Sequence, residues 1–258
     1  MIVDVNTFIG TWAFRRLRRN DAAGVLGMMD QFGVDRACVA SADAILYKDS
    51  HAGNLKLLEE IEEHKARFWP YATLNPAYAG WERDLGRCVD LGFAALRLYP
   101  CYHGYSLDGS EAAAIIDAAA EAGLPISLPC RVVDVRQRHW MDVTENLDPM
   151  QVLEVAEAHP KATFIVTEGI LRYPADSETW QRMRAVNYFV EMSRMTSLLG
   201  KDIQVMVEAL GSDRVLLGTG FPFKAPSPAF LKLKVLDAAD DAKAQVSGGN
   251  AARLFRRG

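Results

Sequence analysis

Two stretches decide the fold: DLGFAALRLYP at residues 90–100 and EAGLPISLPC at residues 121–130. Each ends an amphipathic run at a glycine and then re-enters an apolar run. That is how a helix stops and hands over to a strand. Working outward, the same alternation recurs along the chain. Strand-like runs fall at 2–6, 36–40, 68–73, 94–99, 126–129, 163–167, 188–192 and 214–218. Between and after them lie helical patterns at 22–32, 54–64, 81–91, 111–122, 150–158, 179–185, 201–210 and 229–237. Eight strand-then-helix units with no linker, repeat or shift of composition predict a parallel α/β architecture. Eight is also the number that closes a (β/α)8 TIM barrel, so the expectation is one domain over residues 1–258.

Composition narrows the function classes. With 258 residues, half of them hydrophobic, the chain can bury a full core without disulfide or metal staples. Lys and Arg number 29 against 33 acids, a net charge of −4, which offers no nucleic-acid footprint. The basic runs at 15–19 and 253–257 are short and read as solvated faces. The four cysteines, Cys38, Cys88, Cys101 and Cys130, have neither C-x-x-C nor metal-finger spacing. They fit a reducing compartment. MIVDVNTF at the start already reads as a strand rather than a leader, and no apolar run approaches the ~20 residues of a membrane helix. A cytoplasmic location is expected.

In a barrel, function sits on the loops at the carboxyl ends of the strands. Alternation predicts which side chains face inward. It puts Asp4, Asn6 and Phe8 on one face of the first strand, with Val3 and Val5 toward the helices. On later strands it points Arg97, Tyr99, Ser127, Pro129, Glu168, Glu191, Gly218 and Gly220 inward.

These segments resemble the amidohydrolase-related family, the branch of the metal-dependent hydrolase superfamily that includes lactonases and decarboxylases of carboxylated substrates. The resemblance covers nearly the whole chain. It rests on VDVNTFIG (3–10), GFAALRLYP followed by YHGYSLDG (92–109), AGLPISLPC (122–130) and HPKATFIVTEG (159–169). GSDRVLLGTGFP (211–222) with GGNAARLF (248–255) is its most specific part. The resemblance implies a catalytic metal site, from which this sequence departs at every ligand. The usual His-x-His is Asn6-Thr7-Phe8, the fifth-strand His is Pro129, the sixth-strand His is Glu168, and the eighth-strand Asp is Gly220. Phe8, Pro129 and Gly220 have no side-chain donor, and a catalytic zinc needs about three protein ligands. The expectation is no metal and no other cofactor.

Without a metal, hydrolysis needs a general base and groups that hold a developing oxyanion. Glu168 is the candidate base, with a pKa expected to rise on burial; the alternative is an ion pair with an arginine. His103 is a candidate acid or base, or a solvated loop histidine. Arg97 either grips a substrate carboxylate or pairs with Asp4 or Glu191 inside the barrel. Tyr99 and Tyr105 belong to the same loop, which the family brings to its substrate. Asn6 is a candidate donor to the reacting carbonyl. Phe8 lies beside it, and Trp12 with Phe14 walls the pocket or plugs the barrel. Tyr47, in LYKDSHAGN (46–54), is a candidate cap, in a loop whose Asp49 equally suits a helix N-cap. Arg131 opens an arginine-rich segment, 130–143, that reads as a lid over an anion, a solvated loop or a subunit contact. Cys101 and Cys130 have thin support as nucleophiles. The leading expectation is therefore a metal-independent, lactonase-like hydrolase of a small carboxylated or sugar-acid substrate. The alternatives are a decarboxylase or lyase and a catalytically silent ligand-binding barrel. The partner is a small anionic molecule, not nucleic acid or membrane, and self-association is possible.

Overall fold

The computed structural model describes residues 1–196 and 201–255; Arg256 and Arg257, the end of the second basic run, lie outside them. Eight strands pair in parallel and in chain order. They are β1 (Val3–Ile9), β2 (Arg36–Ser41), β3 (Phe68–Thr73), β4 (Ala95–Arg97), β5 (Ile126–Pro129), β6 (Phe164–Thr167), β7 (Tyr188–Glu191) and β8 (Val215–Leu216). The segment after β8 returns to β1: Val5 N–H donates to Leu217 O at 2.9 Å, Phe8 N–H to Phe221 O at 2.8 Å and Gly220 N–H to Asn6 O at 2.8 Å. The sheet thus closes as a (β/α)8 barrel.

Helices follow the strands: α1 (Ala22–Phe32), α2 (Ser50–Ile61), α3 (Trp81–Asp90), α4 (Pro100–His103), α5 (Ser110–Glu121) and α6 (Pro149–Ala158). After them come α7 (Glu178–Ala185), α8 (Asp202–Ala209), α9 (Ser227–Val235), α10 (Asp240–Ala244) and α11 (Asn250–Phe255). Local chemistry sets their ends. Asp21 caps α1 by accepting Gly24 N–H, and Gly33 closes it in the left-handed conformation. Asp49 accepts from His51 and Ala52 N–H, so α2 starts at Ser50 rather than at 54. The capping role of Asp49 explains that shift.

The outer core lies between sheet and helices, with Leu96, Leu98, Leu128 and Val166 packing on helix residues such as Ile115, Ile116 and Leu153. The inner core fills the barrel, with Cys38, Ala40, Tyr71, Ala95, Ile165, Phe189 and Leu216. Phe255 of α11 packs on the rings of Trp69 and Tyr71, at 5.5 and 5.7 Å.

β1 departs from strict alternation. Between the pairs Asp4–Ala37 and Thr7–Val39, β1 carries one residue more than β2. Val3 and Val5, expected to face the helices, join the inner cluster. Asp4 does not share a clean face with Asn6 and Phe8. Its carboxylate accepts the Thr219 Oγ1–H at 2.6 Å and N–H at 3.0 Å, and the Asn6 N–H at 3.0 Å. It therefore helps close the barrel, and burial raises its pKa to about 7 against these hydrogen bonds.

Candidate functional site

β1 delivers Asn6 and β6 delivers Glu168 to one point at the carboxyl ends of the strands. Asn6 Nδ2–H donates to Glu168 Oε1 at 2.8 Å, and both side chains are buried. Glu168 faces inward, as expected, but for a different reason. Ser127 and Pro129 pair in register with Ile165 and Thr167, so regular alternation would turn residue 168 outward. Glu168 instead has φ +57°, and this left-handed step turns it back into the mouth.

The next loops complete the cluster. Lys224, beyond β8, places its ammonium 2.7 Å from Glu168 Oε1 and donates to Ser193 Oγ at 2.5 Å. Arg194, beyond β7, donates through Nε to Glu168 Oε2 at 2.6 Å and through Nη1 to Asp134 Oδ2 at 2.6 Å. Ser193 Oγ–H reaches both Glu168 Oε1 (3.3 Å) and Glu191 Oε2 (3.0 Å). Gly218 is required here, because a Cβ on it would lie 2.5 Å from Glu191 Cγ and 2.9 Å from Asn6 Cβ.

The two carboxyls are driven apart in proton affinity. Burial pushes Glu168 up, but Lys224 and Arg194 together outweigh it and hold the group below the usual glutamate range. This corrects the expected rise and matches the ion-pair alternative. Glu191 is pushed up by burial and by the charge of Glu168, only partly offset by Lys224. Such a split gives two neighbouring carboxyls unequal proton affinities.

Other candidates sit elsewhere. Arg97 is fully buried in the inner core, its guanidinium 5.0 Å from the Phe8 ring centroid and 4.9 Å from that of Tyr71. It donates to Ser127 Oγ at 3.1 Å and Val5 O at 3.4 Å, while Nη1 has no partner among the described residues. Neither Asp4 nor Glu191 is its ion-pair partner. Tyr99 is buried, and its hydroxyl rises to about 12 through burial. His103 packs on Tyr99 and Tyr105, with Nε2 3.2 Å from Ile45 O. Burial lowers its pKa to about 4, so it is neutral at pH 7 and not in contact with Glu168. Trp12 is a packing residue, edge-on to Phe14, Tyr102 and Phe223 at 5.4, 5.9 and 5.2 Å. Tyr47 is exposed and has no ring contact or side-chain hydrogen bond with another candidate. Arg131 joins the ionic cluster at its edge, 3.7 Å from Asp134. Burial pushes the thiols of Cys101 and Cys130 up, against a nucleophilic role.

Ser193, Arg194 and Lys224 are the residues that sequence reasoning missed. They lie past the strand ends, where alternation no longer assigns a direction. Their position on the loops after β7 and β8 was the available signal.

The positions that the family gives to metal ligands do not fit a divalent cation. Asn6 and Glu168 are the only donors among the five, and Glu168 already holds two cations. A Cβ on Gly220 would lie 2.4 Å from Lys224 Cε and 2.5 Å from Glu168 Oε1, so lysine occupies the space of the missing aspartate. Among the described residues no group of three His, Cys, Asp or Glu side chains is placed to hold a metal ion. No helix among them is long and apolar enough to cross a membrane.

Among the solved structures that share the fold, three cover nearly the full length of both chains as follows. A 5-carboxyvanillate decarboxylase from Sphingomonas paucimobilis is 15% identical, with a TM-score of 0.74 and coverage of 100% of this chain and 99% of that one. A dihydroxybenzoic acid decarboxylase from Polaromonas, with bound manganese and the inhibitor 2-nitroresorcinol, is 16% identical, with a TM-score of 0.72 and coverage of 98% and 96%. A probable 2-pyrone-4,6-dicarboxylic acid hydrolase from Acinetobacter baumannii, with citric acid bound, is 10% identical, with a TM-score of 0.68 and coverage of 98% of both. At these identities the likeness is one of fold. Among curated proteins no sequence matches. The amidohydrolase family model matches residues 12–257, and the chain belongs to that family.

Proposed function

We propose that this barrel is a metal-independent hydrolase of a small carboxylated substrate, of the lactone type, working at Asn6, Glu168, Lys224 and Arg194. The observation that carries the reading is the Lys224 ammonium, 2.7 Å from Glu168 in the space a side chain at Gly220 would take. It is a fixed positive charge where the family resemblance puts a metal. The substrate carboxylate docks on Arg194 and Lys224 and draws them from Glu168, whose proton affinity then rises. Glu168 takes a proton from water, the hydroxide adds to the acyl carbon, and the Asn6 amide N–H and Lys224 hold the oxyanion. The ester C–O bond breaks, and the proton on Glu168 passes to the leaving alkoxide.

Decarboxylation is the second reading, favoured by Glu191, a buried carboxyl pushed toward its protonated form beside an anion. It would deliver a proton to the carbon that loses CO2. In either case the partner is a small anion rather than nucleic acid, the whole chain acts as one domain, and the reading does not depend on self-association. The free state of all four cysteines supports a reducing, cytoplasmic setting.

The test is incubation with carboxylated lactones and with hydroxybenzoates in the presence of a chelator, followed by NMR. The expected result is ring opening that survives chelation and is lost in Glu168→Gln and Lys224→Met. Release of CO2 instead would establish the second reading. Dependence on added divalent metal, or binding without conversion, would overturn the proposal.

A further inference from the structure

The basic run at 15–19, RRLRR, is exposed at Arg16, Arg18 and Arg19, and it does more than face solvent. It forms one wall of a cavity of about 810 Å³, with Phe223 and Lys224 on another side and Arg194 also in the lining. Among the described residues, seven cationic side chains line this space against a single carboxylate, Asp134. That carboxylate is already shared among Arg136 at 2.9 Å, Arg194 at 2.6 Å and Arg131 at 3.7 Å. In a chain of net charge −4 such a concentration of one sign is a local feature. A cleft lined by one sign focuses the field on an ion of the other sign.

Three further observations point to a ligand. Arg194 is 9% exposed and its orientation is locked by Glu168 and Asp134, yet its buried Nη2 has no partner among the described residues. Arg15 anchors the arm by donating to Gln137 Oε1 and Phe223 O, both at 2.9 Å, which leaves Arg16 and Arg18 exposed at the cavity with no ion pair among the described residues. The described residues contain two non-glycine residues with left-handed φ, Arg19 at +55° and Glu168 at +57°. One lines this cavity and the other lies beneath it, on Arg194 and Lys224. Backbone of this kind clusters at ligand clamps.

From this we infer that the arm 15–19 binds a phosphoryl group, so that the substrate class is a small acid bearing both a carboxylate and a phosphate. A carboxylate carries one charge and two oxygens, enough for one guanidinium fork. A phosphate monoester carries about −1.5 to −2 charges at pH 7 and three acceptor oxygens, which suits several forks at once. Arg16, Arg18 and Arg19 supply them. The inference rests on the proposed function for its carboxylate seat, on Arg194 and Lys224, but not for its phosphate seat.

Calorimetry at low ionic strength with 2-phosphoglycolate, glycolate, malonate, inorganic phosphate and a ten-nucleotide oligothymidylate tests this. Phosphoglycolate should bind at least about tenfold tighter than glycolate or malonate, and the Arg16→Ala/Arg18→Ala variant should bring the phosphoglycolate-to-glycolate ratio close to one. Both substituted residues are exposed, so the variant should keep the wild-type melting curve. Inorganic phosphate binding that the double variant loses, with no glycolate binding in either protein, would keep the phosphate seat and remove the carboxylate seat. Equal affinity for malonate and phosphoglycolate would overturn the inference, as would no effect of the double substitution. So would an oligothymidylate that binds tighter than any small anion through the same arginines, since the arm would then be a nucleic-acid surface.

Discussion

One region of the barrel mouth is aromatic and the other is ionic, and they meet at the adjacent residues Phe223 and Lys224. Phe8, Trp12, Tyr99, Tyr102, His103 and Phe223, from β1, α4 and the loops after β1, β4 and β8, pack ring against ring. Glu168, Glu191, Ser193, Arg194 and Lys224, from the ends of β6 and β7 and the loops after β7 and β8, form a chain of charge-assisted hydrogen bonds. The aromatic region excludes water through contact area and needs no partner of exact orientation. The ionic region is stable only while each charge keeps its counter-charge, so a second anion can rearrange it. Chemistry is expected where exchange of partners is possible. The buried arginines repeat the lesson: Arg97 is held between two rings, whereas Arg194 is held between two carboxylates.

The greatest loss is expected in the aromatic region. Trp12→Ala removes a ring that is 3% exposed and is expected to lower stability by about 3–5 kcal/mol in urea titration. Carboxylate binding should remain in the fraction that is folded. A loss under about 1 kcal/mol would mean that the ring lines a pocket rather than supports the mouth.

Next comes the ionic region. Glu168→Gln leaves Lys224 and Arg194 short of a counter-charge and should cost about 3 kcal/mol. Lys224→Met added to it should restore part of the loss, which a double-mutant cycle would read as a coupling of more than about 1 kcal/mol. Additive losses would show that the two charges do not depend on one another.

A smaller effect follows from pH. The folded-state pKa of His103, about 4, lies below the ordinary value of 6.5, so the folded protein resists protonating it. Its neutral form is compatible with full stability above pH 6.5, and stability is lost as pH falls from 6.5 to the folded pKa, roughly 3 kcal/mol by pH 4. His103→Phe removes that dependence and the hydrogen bond to Ile45 O, at a cost of about 1 kcal/mol at neutral pH. The two stability curves should therefore cross between pH 4 and 7. Parallel curves would place His103 in a solvated setting with an ordinary pKa.

The order of strands and helices was legible in the sequence because its signals are local. The run at 22–32 is a helix over Ala22–Phe32, since an aspartate cap and a closing glycine act within a few residues. Asn6 and Glu168 were also legible as inward-facing, although they are 162 residues apart and meet at 2.8 Å. What alternation could not supply was the bulge in β1, which turned Val3 and Val5 inward and committed Asp4 to Thr219. Nor could it show the left-handed step that aims Glu168.

By itself, then, the sequence determined the barrel, the family and the absence of the family's metal ligands, because periodicity, punctuation and residue identity are properties of the chain. That Lys224 and Arg194 hold Glu168 as an anion, that His103 sits neutral among rings and that the arginine arm faces a cavity emerge once the chain is folded. The reason is physical. Proton affinity and charge pairing depend on which groups come within a few ångströms after the loops close, and loop residues beyond a strand carry no periodic signal of where they will point.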